Sequence, residues 1–71
     1  MGWSSGGNIF SDVISVMKRE VDNHNRRVRI YRALIESFEN EDWDTQGELI
    51  GEDPAYDEAL REKYPDWFED K

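Results

Sequence analysis

Asp42, Asp44, Gln46, Gly47, Leu49 and Asp53 stand at positions 1, 3, 5, 6, 8 and 12 of an EF-hand frame. Oxygen ligands at alternate positions, a glycine for the turn and an apolar eighth residue are what a calcium loop needs. Asp42, Asp44, Gln46 and Asp53 are therefore the candidate ligands of an alternative, metal-binding reading. Three features oppose it. Asp at the twelfth position lacks the reach of the usual bidentate Glu. Pro54 follows at once, where the exit helix should already be running. Thr45-Gln-Gly-Glu48 reads as a capping box that would start a helix inside the loop. The capping reading is preferred, and no metal or other cofactor is expected.

Other chemistry is thinly supplied. Paired carboxylates can work as general acid and base, but thirteen acids in residues 38–71 guarantee close pairs by chance. A chain of 71 residues also leaves little room for a substrate pocket of several hundred Å3. Ser4 and Ser5 have a single distant His24 and no G-x-S-x-G context. With no Cys and no second histidine to help it, His24 reads as a solvated polar residue in a turn. No catalytic residue is assigned and no enzyme is expected.

Two charged groups remain. Arg26, Arg27, Arg29 and Arg32 cluster where a helix should begin, against its dipole, so they gain from acidic neighbours. They are expected to face the acidic C-terminal half, with a basic site for an anionic ligand as the other reading. Residues 38–71 hold thirteen acids and three bases, a balance of -10, against +2 for residues 1–37. Glu39, Glu41 and Asp57, with Trp43, Trp67 and Phe68 embedded among the acids, are the candidate partner-binding residues. Aromatic anchors with an acidic rim suit a basic protein surface.

These groups must be carried by helices. Phe10, Val13, Ile14, Met17 and Val21 follow helical spacing, with Asn8 as the expected N-cap. Asp22-Asn23-His24-Asn25 breaks the pattern and should turn the chain and cap a second helix, from about His24 to Asn40, whose stripe is Val28, Tyr31, Leu34, Ile35 and Phe38. The short connection predicts an antiparallel hairpin over 9–40. Trp43 stands near a hydrophobic-staple position, where core closure is its plainer reading. A short helix with Leu49 and Ile50 should end at Gly51. Asp53-Pro54 should cap and start another, which Pro65 stops, with Leu60 in the core. The expected fold is all-α, one domain spanning 1–71: a Gly/Ser-rich leader (1–8) with Trp3 docked on the core, the hairpin (9–40), and an acidic, aromatic-rich half (41–71).

Composition narrows the function. A net charge of -8 repels nucleic-acid phosphate, so no direct nucleic-acid contact is expected from the C-terminal half. No apolar run approaches the roughly 20 residues needed to span a bilayer. The start lacks a signal-peptide pattern. Gly6 stands where N-acylation at Gly2 wants Ser or Thr. A cytoplasmic protein is expected. With no Cys for a disulfide, stability could draw on the three Trp, three Tyr and three Phe, or on a second copy.

Met-Gly-Trp-Ser-Ser-Gly at residues 1–6, Phe-Glu-x-x-Asp-Trp-Asp-Thr-x-x-Glu from Phe38 to Glu48, Asp53-Pro-Ala-Tyr56 and Pro65-Asp-Trp-Phe68 form one set of landmarks. In these the chain resembles a group of small uncharacterised proteins of bacteriophages and prophages. The resemblance spans nearly the whole sequence. It implies a viral accessory protein acting in the host cytoplasm and implies no chemistry. Together the readings give an acidic interaction module that binds, and modulates or inhibits, a host protein with a basic surface. Nucleic-acid-binding or defence proteins are the favoured targets. An oligomeric structural protein and the EF-hand-like module are the alternatives.

Overall fold

The computed structural model describes Trp3 and residues 5–68. The acylation reading at Gly2 and the nucleophile reading at Ser4 fall outside those residues. The described chain is all-α: α1 (Gly6–Glu20), α2 (His24–Glu39), a 3-10 turn (Gln46–Leu49), α3 (Pro54–Lys63) and a second 3-10 turn (Pro65–Phe68), with no strand among the described residues.

Helix α1 starts two residues before the expected Asn8 cap. Ser5 stands at the cap with no side-chain hydrogen bond, and Asn8 lies exposed inside the helix. The leader sets this start. The Trp3 amide donates to the Asp42 carbonyl at 2.8 Å, and the Gly6 amide donates to the Trp3 carbonyl at 3.1 Å. Trp3 thereby docks, its ring 5.1 Å from that of Phe38. Gly6 and Gly7, buried in the first turn, are slots rather than flexible leader. A Cβ on Gly6 would come within 2.9 Å of ring atoms of both Trp3 and Trp43, and one on Gly7 within 2.9 Å of the Thr45 hydroxyl.

Helix α2 follows the sequence reading closely. The Asn23 side chain accepts from the Arg26 amide at 3.0 Å and caps it. Helix α3 does the same: Asp53 caps, accepting from the Ala55 amide at 3.0 Å, with Pro54 in the first turn. The capping box between them does not form. The Thr45 hydroxyl accepts from the Trp43 indole N–H at 2.7 Å and caps nothing, so this segment is one 3-10 turn. It ends, as expected, before Gly51, whose φ of +99° favours glycine.

The tightest helical pairing is α2 with α3, whereas α1 meets the first 3-10 turn, so residues 9–40 are not an independent hairpin. Large rings hold α1 in place. Phe10 stacks on Trp43 (4.9 Å between centroids, 12°) and meets Phe38 (4.8 Å, 66°) and Tyr56 (5.3 Å, 70°) edge-on. Each such pair contributes about 0.5–1.5 kcal/mol beyond area burial. Of the expected core, Phe10, Ile14, Tyr31, Ile35, Leu49 and Leu60 are buried. Met17, Leu34 and Phe38 are partly buried against it, and Val13 is half-buried at its edge. Trp43, Ala55, Tyr56 and Ala59 complete it.

Candidate functional site

Two carboxylates leave the surface and organise the rest. Asp53 is fully buried. Besides the Ala55 amide it accepts from Tyr31 Oη at 2.7 Å and from Arg27 Nε at 3.0 Å. Burial pushes its carboxyl up, but the Tyr31, Ala55 and Arg27 donors outweigh burial and hold it below the ordinary range. Burial, and then Asp53 itself, raise the Tyr31 phenol. Arg27 Nη1 also donates to the Val21 carbonyl at 2.7 Å, so one guanidinium ties the α1–α2 turn to the start of α3.

Glu39 is the second. Its carboxylate accepts from Lys63 Nζ, from Gln46 Nε2 and from Tyr64 Oη, the last at 2.8 Å. Burial raises it, and these three donors together lower it further. Tyr64 in turn stacks on Trp67, with 4.2 Å between centroids and 7° between planes. The Glu39 cluster therefore joins the exposed aromatic pair to the acidic loop through Gln46.

The expected partner-binding residues divide accordingly. Trp43 is buried at 2% exposure and is a core residue, because the Gly6–Gly7 slot and Phe10 close over it. Glu39 is turned inward by its three donors and is not a rim charge. Phe68 is half-buried, with the Arg61 guanidinium 5.0 Å over its ring. Asp57 is half-buried and accepts from the Gly51 amide at 3.0 Å, which fixes it as a turn ligand. Glu41 and Trp67 are exposed, as the reading requires.

Sequence reasoning passed over Asp42, Asp44 and Glu48 as partner residues. With Glu41 they form an exposed acidic loop, in which Asp42 takes a left-handed φ of +68° and its carbonyl anchors Trp3. The run of acids from Glu41 to Glu48 was the available signal. Only the internal bonding of Glu39 and Asp53 separates these residues from the structural acids.

The alternative metal loop is not assembled. Asp53 points into the protein and is saturated by Arg27, Tyr31 and Ala55. Gln46 is buried, its amide donating to Glu39 and its carbonyl accepting from Tyr56 Oη at 2.7 Å. Among the described residues no group of three or more His, Cys, Asp or Glu side chains is placed to hold a metal.

The Arg cluster is partly neutralised from within. Arg27 pairs with Asp53 and Arg32 with Glu62, while His24 meets Glu58 at 2.8 Å. Arg26 and Arg29 are exposed. A groove floored by Ile35 and Ala59 runs between α2 and α3, but its Arg32 and Lys63 are already paired. No helix among the described residues is long and apolar enough to cross a membrane. Comparison with protein-family models, curated proteins and solved structures returns no match.

Proposed function

We propose that the chain is a small acidic interaction module that docks on a basic protein surface through the Glu41–Glu48 loop and Trp67. One observation carries this reading: internal pairing removes Asp53, Glu39, Glu58 and Glu62 from the acid surplus, yet leaves Glu41, Asp42, Asp44, Glu48 and Asp66 exposed without a cationic partner among the described residues. Beside them Trp67 leaves 47% of its surface in water, a large apolar group backed by Tyr64 and held ready as an anchor. The resemblance of the sequence landmarks to those of small phage and prophage proteins supports a viral accessory role, exercised in the host cytoplasm on a nucleic-acid-binding or defence protein whose basic groove the acids would occupy in place of phosphate. The reading needs no catalytic residue and no cofactor.

The test is capture of a partner from bacterial lysate, followed by binding kinetics on the purified pair. Reversing Glu41, Asp44 and Glu48 to Lys should slow association by about tenfold or more and flatten its salt dependence. Trp67→Ala should mainly speed dissociation. All four side chains are exposed, so the helical circular dichroism should not change. Binding indifferent to salt, to the reversals and to Trp67→Ala would reduce the acidic loop to solvated surface.

A further inference from the structure

The acidic loop and Trp67 leave one surface of the molecule unused. Ser11 and Lys18 turn one flank of α1 toward Glu52, at 2.9 Å in each case. Ile9, Val13 and Val16, spaced at i, i+4 and i+7, lie along the other flank, with Ile9 and Val16 46% and 45% exposed. His24, Arg32 and Glu39 turn one flank of α2 toward α3 through Glu58, Glu62 and Lys63. Ile30, Ala33 and Leu34 lie on its other flank. One hollow lies at the α1–α2 turn, between Glu20, Val21, Asp22, Arg26 and Ile30, and a second, sharing Arg26 and Ile30, lies along α2 past Arg29, Ala33 and Leu34; together they form the groove. Ile9, Val16, Arg26, Arg29 and Ala33 are all exposed, so no described element covers this face.

We propose that this face is a two-fold self-association surface, on which α1 of one copy lies over the apolar groove of α2 of a second copy. Charge selects the occupant. The α1 stripe is edged by Asp12 and Glu20; the groove along α2 is edged by Arg26 and Arg29, and Glu20 and Asp22 stand only at its α1–α2 turn end. Neither arginine has a carboxylate within ion-pair distance among the described residues. Glu20 has only its exposed neighbour Arg19, at 3.2 Å. One molecule thus carries both complementary halves, which an isologous contact requires. The two helices run in opposite senses, with Phe10 beside Phe38 at one end and Val21 beside Ile30 at the other. A two-fold axis along the helices keeps these levels. It sets Glu20 of one copy opposite Arg26 and Arg29 of the other, and Val16 and Val13 opposite Ile30 and Leu34. None of the residues of the acidic-loop reading takes part, so either proposal can fail alone.

Sedimentation equilibrium of the full chain, from about one to a few hundred micromolar, tests it. The expected mass at the upper end is twice the 8.4 kDa chain. Val16→Asp, at an exposed site, should return the single-chain mass with helical circular dichroism intact. Arg26→Glu with Arg29→Glu should raise the dissociation constant about tenfold or more, and adding Glu20→Arg should recover most of that loss. A single-chain mass throughout the range overturns the proposal and makes an acidic, apolar segment of another protein the occupant of the groove. A dimer indifferent to Val16→Asp and to the charge swaps also overturns it, by placing the contact elsewhere.

Discussion

At the scale of single residues, the absence of a side chain can be as specific as its presence. Gly6 lies where a methyl group would enter two indole rings, those of Trp3 and Trp43, at 2.9 Å from each. Trp43 is buried and cannot yield without disturbing Phe10, so Trp3 must undock or α1 must shift. Gly6→Ala is expected to destabilise by about 1–3 kcal/mol in urea unfolding, the usual cost of overpacking, despite alanine's better helix propensity. Gly7→Ala meets only a hydroxyl at that distance and should cost less. A stabilised Gly6→Ala protein would show that the leader is not docked. Asp53 teaches the converse lesson. A short acid before proline is an ordinary N-cap, and here the same carboxylate also collects a phenol and a guanidinium.

At the scale of elements, the three helices differ in how far their stripes are covered. The α2 stripe is centred on Val28, Tyr31 and Ile35, all buried on the helix that packs on α3, with Tyr31 also meeting Phe10 of α1, while Leu34 sits one flank away and only partly covered. Ile35→Ala should therefore cost about 2–5 kcal/mol, the range for full truncation in a core, and Leu34→Ala clearly less. Equal losses in chemical denaturation would mean that the Leu34 flank is as buried as the α3 side. The arginines on this helix follow the same geometry. Arg27 and Arg32 face acids from the C-terminal half, whereas Arg26 and Arg29 are exposed with no carboxylate at ion-pair distance among the described residues.

At the scale of the whole molecule, two buried or half-buried carboxylate clusters join segments distant in sequence. Both Asp53 and Glu39 are held below the ordinary carboxylate range in the folded chain. A depressed folded pKa contributes stability that is fully present above the unfolded value, near pH 4, and is lost as pH falls through the folded value. Thermal unfolding followed from pH 7 to pH 2 should therefore show little loss until about pH 4 and a steep loss below it. Glu39→Gln removes one of the two contributions and should make that fall shallower. A melting temperature unchanged down to pH 2 would mean that neither carboxylate is held by its donors. At neutral pH the same clusters take acids out of the surface field; of the exposed acids that remain, Glu41, Asp42, Asp44 and Glu48 form the densest group, with Asp12, Asp22 and Glu36 spread over α1, the turn and α2.

The class of fold, the bounds of α2, the Asp53–Pro54 start of α3 and the stop before Gly51 were all legible in the chain, because caps, turns and apolar stripes act over one to four residues. The same range explains the errors. Thr45 and Glu48 have capping-box spacing, but the Trp43 indole takes the Thr45 hydroxyl. Asn8 is a good cap type, but the docking of Trp3 starts α1 earlier. The candidate site was legible as a charge density and no further. Trp43, Glu39, Glu41 and Trp67 look alike in an acidic aromatic stretch, and tertiary contacts bury Trp43, draw Glu39 half-buried onto its donors, and leave the others exposed. The Arg27–Asp53 and Tyr31–Asp53 bonds span 26 and 22 residues, and Tyr64 reaches Glu39 across 25. No periodicity records such pairings. They arise only when α2 and α3 pack and a desolvated carboxylate must find every donor within reach, which is the physical reason that the division between structural and available acids was decided by the tertiary structure alone.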